Sequence, residues 1–303
     1  MKEALLQLAR LKKQRPALKG PAEFFLDVLP RLFEGESQDR PPALTSEKVR
    51  EKLAGGVPLL RGEPVTVDLE AVRRRWLQIA AAVERHQDAD AGKALANVIH
   101  QNRWNPQEII AAILAGSSDA LYARAESVGL DPDLAGTVVR LGLVPSLANL
   151  HIQLMSLLHG TPRAESVSDR ALFPGPAEPL DWERGYCPTC GSWPLLGEFR
   201  GLEQTRFLRC GLCTAAWKVP RLLCPFCENR DHRSLGYLSV EGNETKYRIN
   251  TCESCRGYVK MLSTLTPLSA PQLLAADVAT MHLDLAAAQR GYSVIGSAQG
   301  GDN

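Results

Sequence analysis

The sequence predicts an α+β chain of several domains: an N-terminal helical bundle, two small tandem modules of the zinc-ribbon kind with four cysteines each, and a closing C-terminal helix. Three observations predict it. All eight cysteines fall between Cys187 and Cys255. They form four C-x-x-C pairs, Cys187/Cys190, Cys210/Cys213, Cys224/Cys227 and Cys252/Cys255. Before them, apolar residues recur at helical spacing with no comparable strand alternation. The 303 residues are 45% hydrophobic and 23% charged, with 35 basic and 34 acidic side chains. That is the composition of a globular chain, and a formal charge of +1 excludes a partner held by bulk electrostatics.

The first segment, residues 1–160, is expected to be the helical domain. Glu3, Arg10, Lys12 and Lys13 interrupt the apolar run that a secretory signal requires. Leu69, Val72, Trp76, Ile79 and Val83 form one apolar stripe, and Arg73, Arg74 and Arg75 are read as its solvated flank. Asn105-Pro106 and Asp131-Pro132 are helix starts, with a cap followed by proline at the first helical position. Leu141 to Pro162 lacks charge. Pro145, Asn149, His151, Gln153 and His159 break it, and Leu147, Leu150, Leu154 and Leu157 keep a one-sided pattern, so a buried helix is expected rather than a membrane span. A soluble, cytoplasmic protein follows.

Residues 161–185 are expected to be a linker, because Pro162, Pro174, Pro176 and Pro179 prevent a continuing helix. Residues 186–222 and 223–265 are then the two modules. Nineteen residues separate Cys190 from Cys210 and twenty-four separate Cys227 from Cys252. Each interval reads as strand, turn, strand: Pro194–Arg200 and Thr205–Arg209 in the first, Ser234–Val240 and Thr245–Asn250 in the second. A hairpin returns the chain to its start, so each module is expected to close its own sulfur quartet. The expected metal ligands are Cys187, Cys190, Cys210 and Cys213 in one site, and Cys224, Cys227, Cys252 and Cys255 in the other. Knuckle, hairpin, knuckle, repeated, has the form of a tandem duplication.

Two C-x-x-C turns place four sulfurs at the corners of a tetrahedron, which suits a single zinc or iron ion. Modules this small bury little core, and a structural zinc ion contributes on the order of 10–16 kcal/mol. Chelation is therefore expected to unfold the region after the linker and spare the helices. A disulfide framework is disfavoured, since such scaffolds are short and exported. Dithiol redox chemistry would need a C-x-x-C at a helix start. From Gly191 to Lys260 there are eleven basic and seven acidic residues. That excess of four is reduced by the negative charge of two metal–thiolate sites, a thin footprint for a nucleic-acid-binding zinc ribbon, which is the alternative reading. No nucleophile elbow, P-loop or H-E-x-x-H occurs, so no catalytic residue is assigned and no small-molecule substrate is expected. His151 reads as a core histidine, and His232 is spare beside complete quartets. Trp193, Trp217 and Tyr258 are expected to shield the sites. Ser269-Ala270-Pro271-Gln272 starts the closing helix, in a last segment of residues 266–303 with a frayed tail.

CPTCGSWP at 187–194, RFLRCGLCTAAWKVPRLLCPFC at 206–227, TCESCRGYVK at 251–260 and ADVATMHLDLAAAQRGY at 276–292 resemble the formate dehydrogenase accessory protein family FdhE. The run from Arg206 to Trp217 carries most of the likeness. The resemblance implies a cytoplasmic, non-enzymatic assembly factor. Its partner would be the catalytic subunit of respiratory formate dehydrogenase, matured before export. The resemblance also implies rubredoxin-like modules and favours iron over zinc in the two mononuclear sites.

Overall fold

The computed structural model describes residues 1–159, 182–239 and 246–294. The expected linker lies outside the described residues except for its last four, and so does the expected turn at 241–244. The N-terminal half is helical: α1 Lys2–Gln14, α2 Lys19–Leu32, α3 Ser46–Ala54, α4 Leu69–His86, α5 Ala89–His100, α6 Pro106–Ala115, α7 Ser118–Ser127 and α8 Pro132–His159. The starts read from sequence appear where the caps stand. Asn105 accepts from the Gln107 amide at 3.0 Å and Asp131 from the Leu134 amide at 2.8 Å. Gly116 ends α6 at φ +85°, a conformation glycine adopts without steric cost.

α4 lies near the centre of the bundle and packs on α2, α5 and α8. Its stripe buries Val72, Trp76, Ile79 and Val83, and Trp76 meets Trp104 with ring centres 5.5 Å apart. The arginine flank departs from expectation at one residue. Arg75 is buried, donating to the Leu32 carbonyl at 3.1 Å and to Ser146 Oγ at 2.8 Å. Its position in the helix turns inward toward α2 and α8, and two oxygens there satisfy the guanidinium. Most of the apolar window of α8 is buried, although residues Pro132–Leu158 are long and apolar enough to cross a membrane.

Six strands follow: β1 Pro194–Arg200, β2 Thr205–Cys210, β3 Ala216–Lys218, β4 Leu235–Ser239, β5 Tyr247–Cys252 and β6 Tyr258–Thr264. The two expected hairpins are β1–β2 and β4–β5, each antiparallel. The sequence reading missed β3 and β6, the third strand of each module. It also missed that all six join one sheet in the order β3-β2-β1-β6-β5-β4. Within a module the first and third strands run parallel. Setting the second module's third strand beside the first module's first strand therefore makes β1–β6 parallel, with Gly197 opposite Met261. The second module is the first displaced across the sheet.

Two helices close the chain, α9 Ala270–Ala279 and α10 Met281–Ala288, where the sequence pattern ran as one. α9 starts with the expected capping box between Ser269 and Gln272. The break falls at Thr280, whose hydroxyl bonds back to the Ala276 carbonyl at 2.8 Å, a bond that competes with helix propagation. α9 packs on α1 and α2. One hydrophobic core thus includes the N-terminal helices, Leu274 and Val278 of α9, and all four cysteines of the first module. The second module has its own small cluster of Ile249, Tyr258, Leu283, Ala287 and Tyr292.

Candidate metal centre

Each C-x-x-C pair folds into the same knuckle. The amide of the first cysteine donates to the carbonyl five residues on: Cys187 to Ser192 at 2.9 Å, Cys210 to Ala215 at 2.9 Å, Cys224 to Asn229 at 2.8 Å and Cys252 to Gly257 at 3.0 Å. The residue after the second cysteine takes positive φ each time: Gly191 at +82°, Thr214 at +58°, Glu228 at +56° and Arg256 at +56°. Left-handed backbone costs a non-glycine residue about 1–2 kcal/mol, and local partners hold these three. The Thr214 carbonyl accepts from the Arg209 guanidinium at 3.1 and 3.3 Å, Glu228 pairs with Arg184 at 3.3 Å, and Arg256 donates to the Arg290 carbonyl at 2.6 Å. Only Gly191 announced this turn in the sequence.

The knuckles bring the sulfurs together in two quartets, Cys187, Cys190, Cys210 and Cys213, and Cys224, Cys227, Cys252 and Cys255, with the four Sγ atoms of each within 4.8 Å of one another. In the first, Cys187–Cys213 are 3.5 Å and Cys190–Cys210 are 3.4 Å apart. In the second, Cys224–Cys255 are 3.6 Å and Cys227–Cys252 are 3.7 Å apart. A tetrahedron with metal–sulfur bonds of 2.3 Å has edges of about 3.8 Å, so both quartets could hold one thiophilic ion. No cysteine is in a disulfide. Backbone amides already point at the sulfurs, with Leu212 and Cys213 each 3.3 Å from Cys210 Sγ. Such bonds favour thiolate over thiol.

Four clustered thiols cannot all ionise without a cation. Burial pushes the Cys213 and Cys224 thiols up, and hydrogen bonding to Cys187 pushes Cys190 up. Against the effect of burial, the neighbouring cysteines hold Cys210 down. Cys252 lies at about 7: burial raises it, but the Cys255 and Ser254 amides lower it further. A bound ion would reverse the raised members, since a coordinating thiol is deprotonated.

The two quartets differ in setting. All four cysteines of the first are buried, whereas Cys227 of the second is exposed and Cys255 half-buried. The helical domain grips the first knuckle directly. The Leu59 and Leu60 amides donate to the Pro188 and Thr189 carbonyls, both at 2.8 Å. Tyr186 OH donates to the Gly56 carbonyl at 2.7 Å, and His151 Nδ1 lies 2.9 Å from Thr189 Oγ1. Burial drives His151 down to about 4, so its ring is neutral near pH 7. It is a core histidine that supports the knuckle from behind. His232 is exposed beside Asp231. Trp217 is buried on β3 and donates to the Arg184 carbonyl at 3.0 Å. Trp193 is half-buried between Tyr186 and Phe226. Tyr258 is buried in the second module and donates to Asp284 at 2.8 Å.

A helical domain bearing two tandem cysteine-knuckle modules on one shared sheet defines a class of metal–thiolate scaffold proteins. Residues 186–221 match the family description "FdhE, central domain" and residues 222–298 "FdhE, C-terminal domain". The chain is thus FdhE-like and carries both of those domains. A "Protein FdhE homolog" of Pseudomonas aeruginosa is 29% identical over 270 residues, spanning 84% of this chain and 75% of that one. "Protein FdhE" of Escherichia coli is 28% identical over 252 residues, 81% and 70% of the two chains. A homologue from Stutzerimonas stutzeri is 39% identical over 111 residues, which span 35% of each chain. The crystal structure of the FdhE protein from Pseudomonas aeruginosa shares the fold, with a TM-score of 0.54 and 24% identity over 96% of this chain and 92% of that one.

Proposed function

We propose that this chain is a formate dehydrogenase accessory factor. It binds the catalytic subunit of respiratory formate dehydrogenase in the cytoplasm and supports its maturation before export. It is not itself an enzyme. The observation that carries this reading is the coincidence of the matched FdhE domains, residues 186–298, with the two sulfur quartets. The eight cysteines are the ligands of two mononuclear ions, with iron favoured over zinc. When bound, such an ion fixes the knuckles and, if iron, carries one electron. The chain's own residues hold the knuckles in place and shape the surface that meets the partner. The segments 1–160, 186–222, 223–265 and 266–303 serve as helical platform, two modules and closing segment, with 161–185 as the linker.

A pull-down with the dehydrogenase catalytic subunit is the direct test, paired with formate dehydrogenase activity and export in a deletion strain. Capture of the subunit, with lost activity on deletion, is expected. Full activity and export without this protein overturn the reading. Elemental analysis with a visible spectrum of freshly purified protein decides the metal, because ferric–thiolate centres absorb strongly in the visible and zinc centres do not.

A further inference from the structure

A pocket of about 180 Å³ opens beside the second sulfur quartet, lined by Arg206, Arg221, Leu222, Cys224, Tyr237 and Arg248 among others. Three of those side chains carry a positive charge. Arg206, on β2, is 2% exposed. Its Nη1 is committed to the carbonyls of Pro220, Arg221 and Leu223 at 3.0, 3.2 and 2.8 Å, which fixes the guanidinium. Its Nε–H has no hydrogen-bond partner. Arg248, on β5, stacks 4.0 Å from the centre of the Phe199 ring and 5.7 Å from that of Tyr237, and its Nε–H is likewise unpartnered. Arg221 lies 6.0 Å from the same Phe199 ring and adds like charge next to Arg248. Among the described residues, none of the three ion-pairs with a carboxylate.

Buried N–H donors on charged groups are costly without an acceptor. The quartet supplies part of the countercharge, since four thiolates around a divalent ion carry two net negative charges, or one around a trivalent ion. The three guanidinium groups still exceed it by one or two. We propose that this pocket binds a carboxylate, with Arg206 and Arg248 supplying the free N–H donors and Arg221 adding charge at the rim. A monoanion with an aliphatic stem matches both the surplus charge and the apolar wall of Leu222 and Tyr237. A phosphate dianion costs more to desolvate against such a wall. The carboxylate can belong to a free small acid or to a Glu side chain of a bound polypeptide, and the proposal is independent of any role with formate dehydrogenase.

The test is a titration of the full-length, metal-loaded, ¹⁵N-labelled protein, following the arginine Nε–H resonances. The probes are propionate, the capped tripeptide acetyl-Gly-Glu-Gly-amide, its Gln counterpart and inorganic phosphate. Movement of the Arg206 and Arg248 signals with propionate or the Glu peptide, and not with the Gln peptide, is expected. Whichever of the two binds more tightly identifies the source. Arg221→Gln and Arg248→Gln should each weaken binding about tenfold, the loss of a charged hydrogen bond or close charge, at unchanged metal content and circular dichroism. Arg221 bonds only backbone carbonyls at a surface turn, so its variant keeps the test valid if Arg248→Gln misfolds. The proposal is overturned if neither carboxylate moves the two signals, if the Gln peptide moves them equally, if phosphate binds more tightly than both, or if Arg221→Gln binds as well as the parent.

Discussion

His151 Nδ1 lies 2.9 Å from the hydroxyl of Thr189, which joins the long apolar helix α8 to the first cysteine knuckle. Both residues are buried. Thr189→Val keeps the shape and strands a ring nitrogen away from water. The expected cost is about 1–3 kcal/mol, read as a lower urea midpoint with unchanged slope. An unshifted midpoint would show that the contact carries no stability.

Removal of metal should proceed in two phases. The second quartet includes an exposed and a half-buried cysteine, while the first is wholly buried in the core it shares with the helices. A chelator is expected to empty the second site first, leaving helical circular dichroism intact, and the first site later, with loss of helical signal. This corrects the expectation that the helices would survive the loss of both ions, because the first knuckle and the bundle bury one another. Simultaneous release, or release from the first site ahead of the second, contradicts the assignment.

Gly197 lies at the parallel seam where the modules join. A methyl group there meets Met261 Sδ and the Phe207 carbonyl, the latter at 2.9 Å. Gly197→Ala should destabilise the protein by about 1–3 kcal/mol through overpacking, with both ions retained under native conditions. A neutral thermal denaturation result would mean that the seam opens without cost.

Acid should loosen the grip on the first knuckle through Glu63. Hydrogen bonds from Lys48 and Lys52, both at 2.8 Å, hold its carboxyl below the ordinary value of 4.5. A carboxyl whose folded pKa is depressed stabilises the fold above its unfolded pKa, and that contribution disappears as pH falls through the folded value. Between pH 5 and the folded pKa, exchange of the Leu59 and Leu60 amides, which donate to Pro188 and Thr189, should quicken. Glu63→Gln should flatten this dependence. A variant that keeps the full acid response would place its origin elsewhere.

The sulfur spacing was legible in the sequence because it is local. Two cysteines three residues apart on one tight turn, and hairpins of nineteen and twenty-four intervening residues, leave few ways to arrange eight thiols. Helix starts at Asn105 and Ser269 were legible for the same reason, since a cap acts within one turn. Residues in contact across long stretches of chain gave no such signal. Arg75 reads as one of three surface arginines until Leu32 and Ser146 are brought to it. β3, with three residues, is too short to show alternation. By itself the sequence determined which side chains could hold metal and which segments form helices and hairpins. Only the tertiary structure decided that the two modules share one sheet, that one quartet is sealed against the helical domain while the other stays open, and that three arginines converge beside it. Those outcomes depend on packing between segments tens to hundreds of residues apart, where the lost chain entropy is recovered only by the whole assembled core.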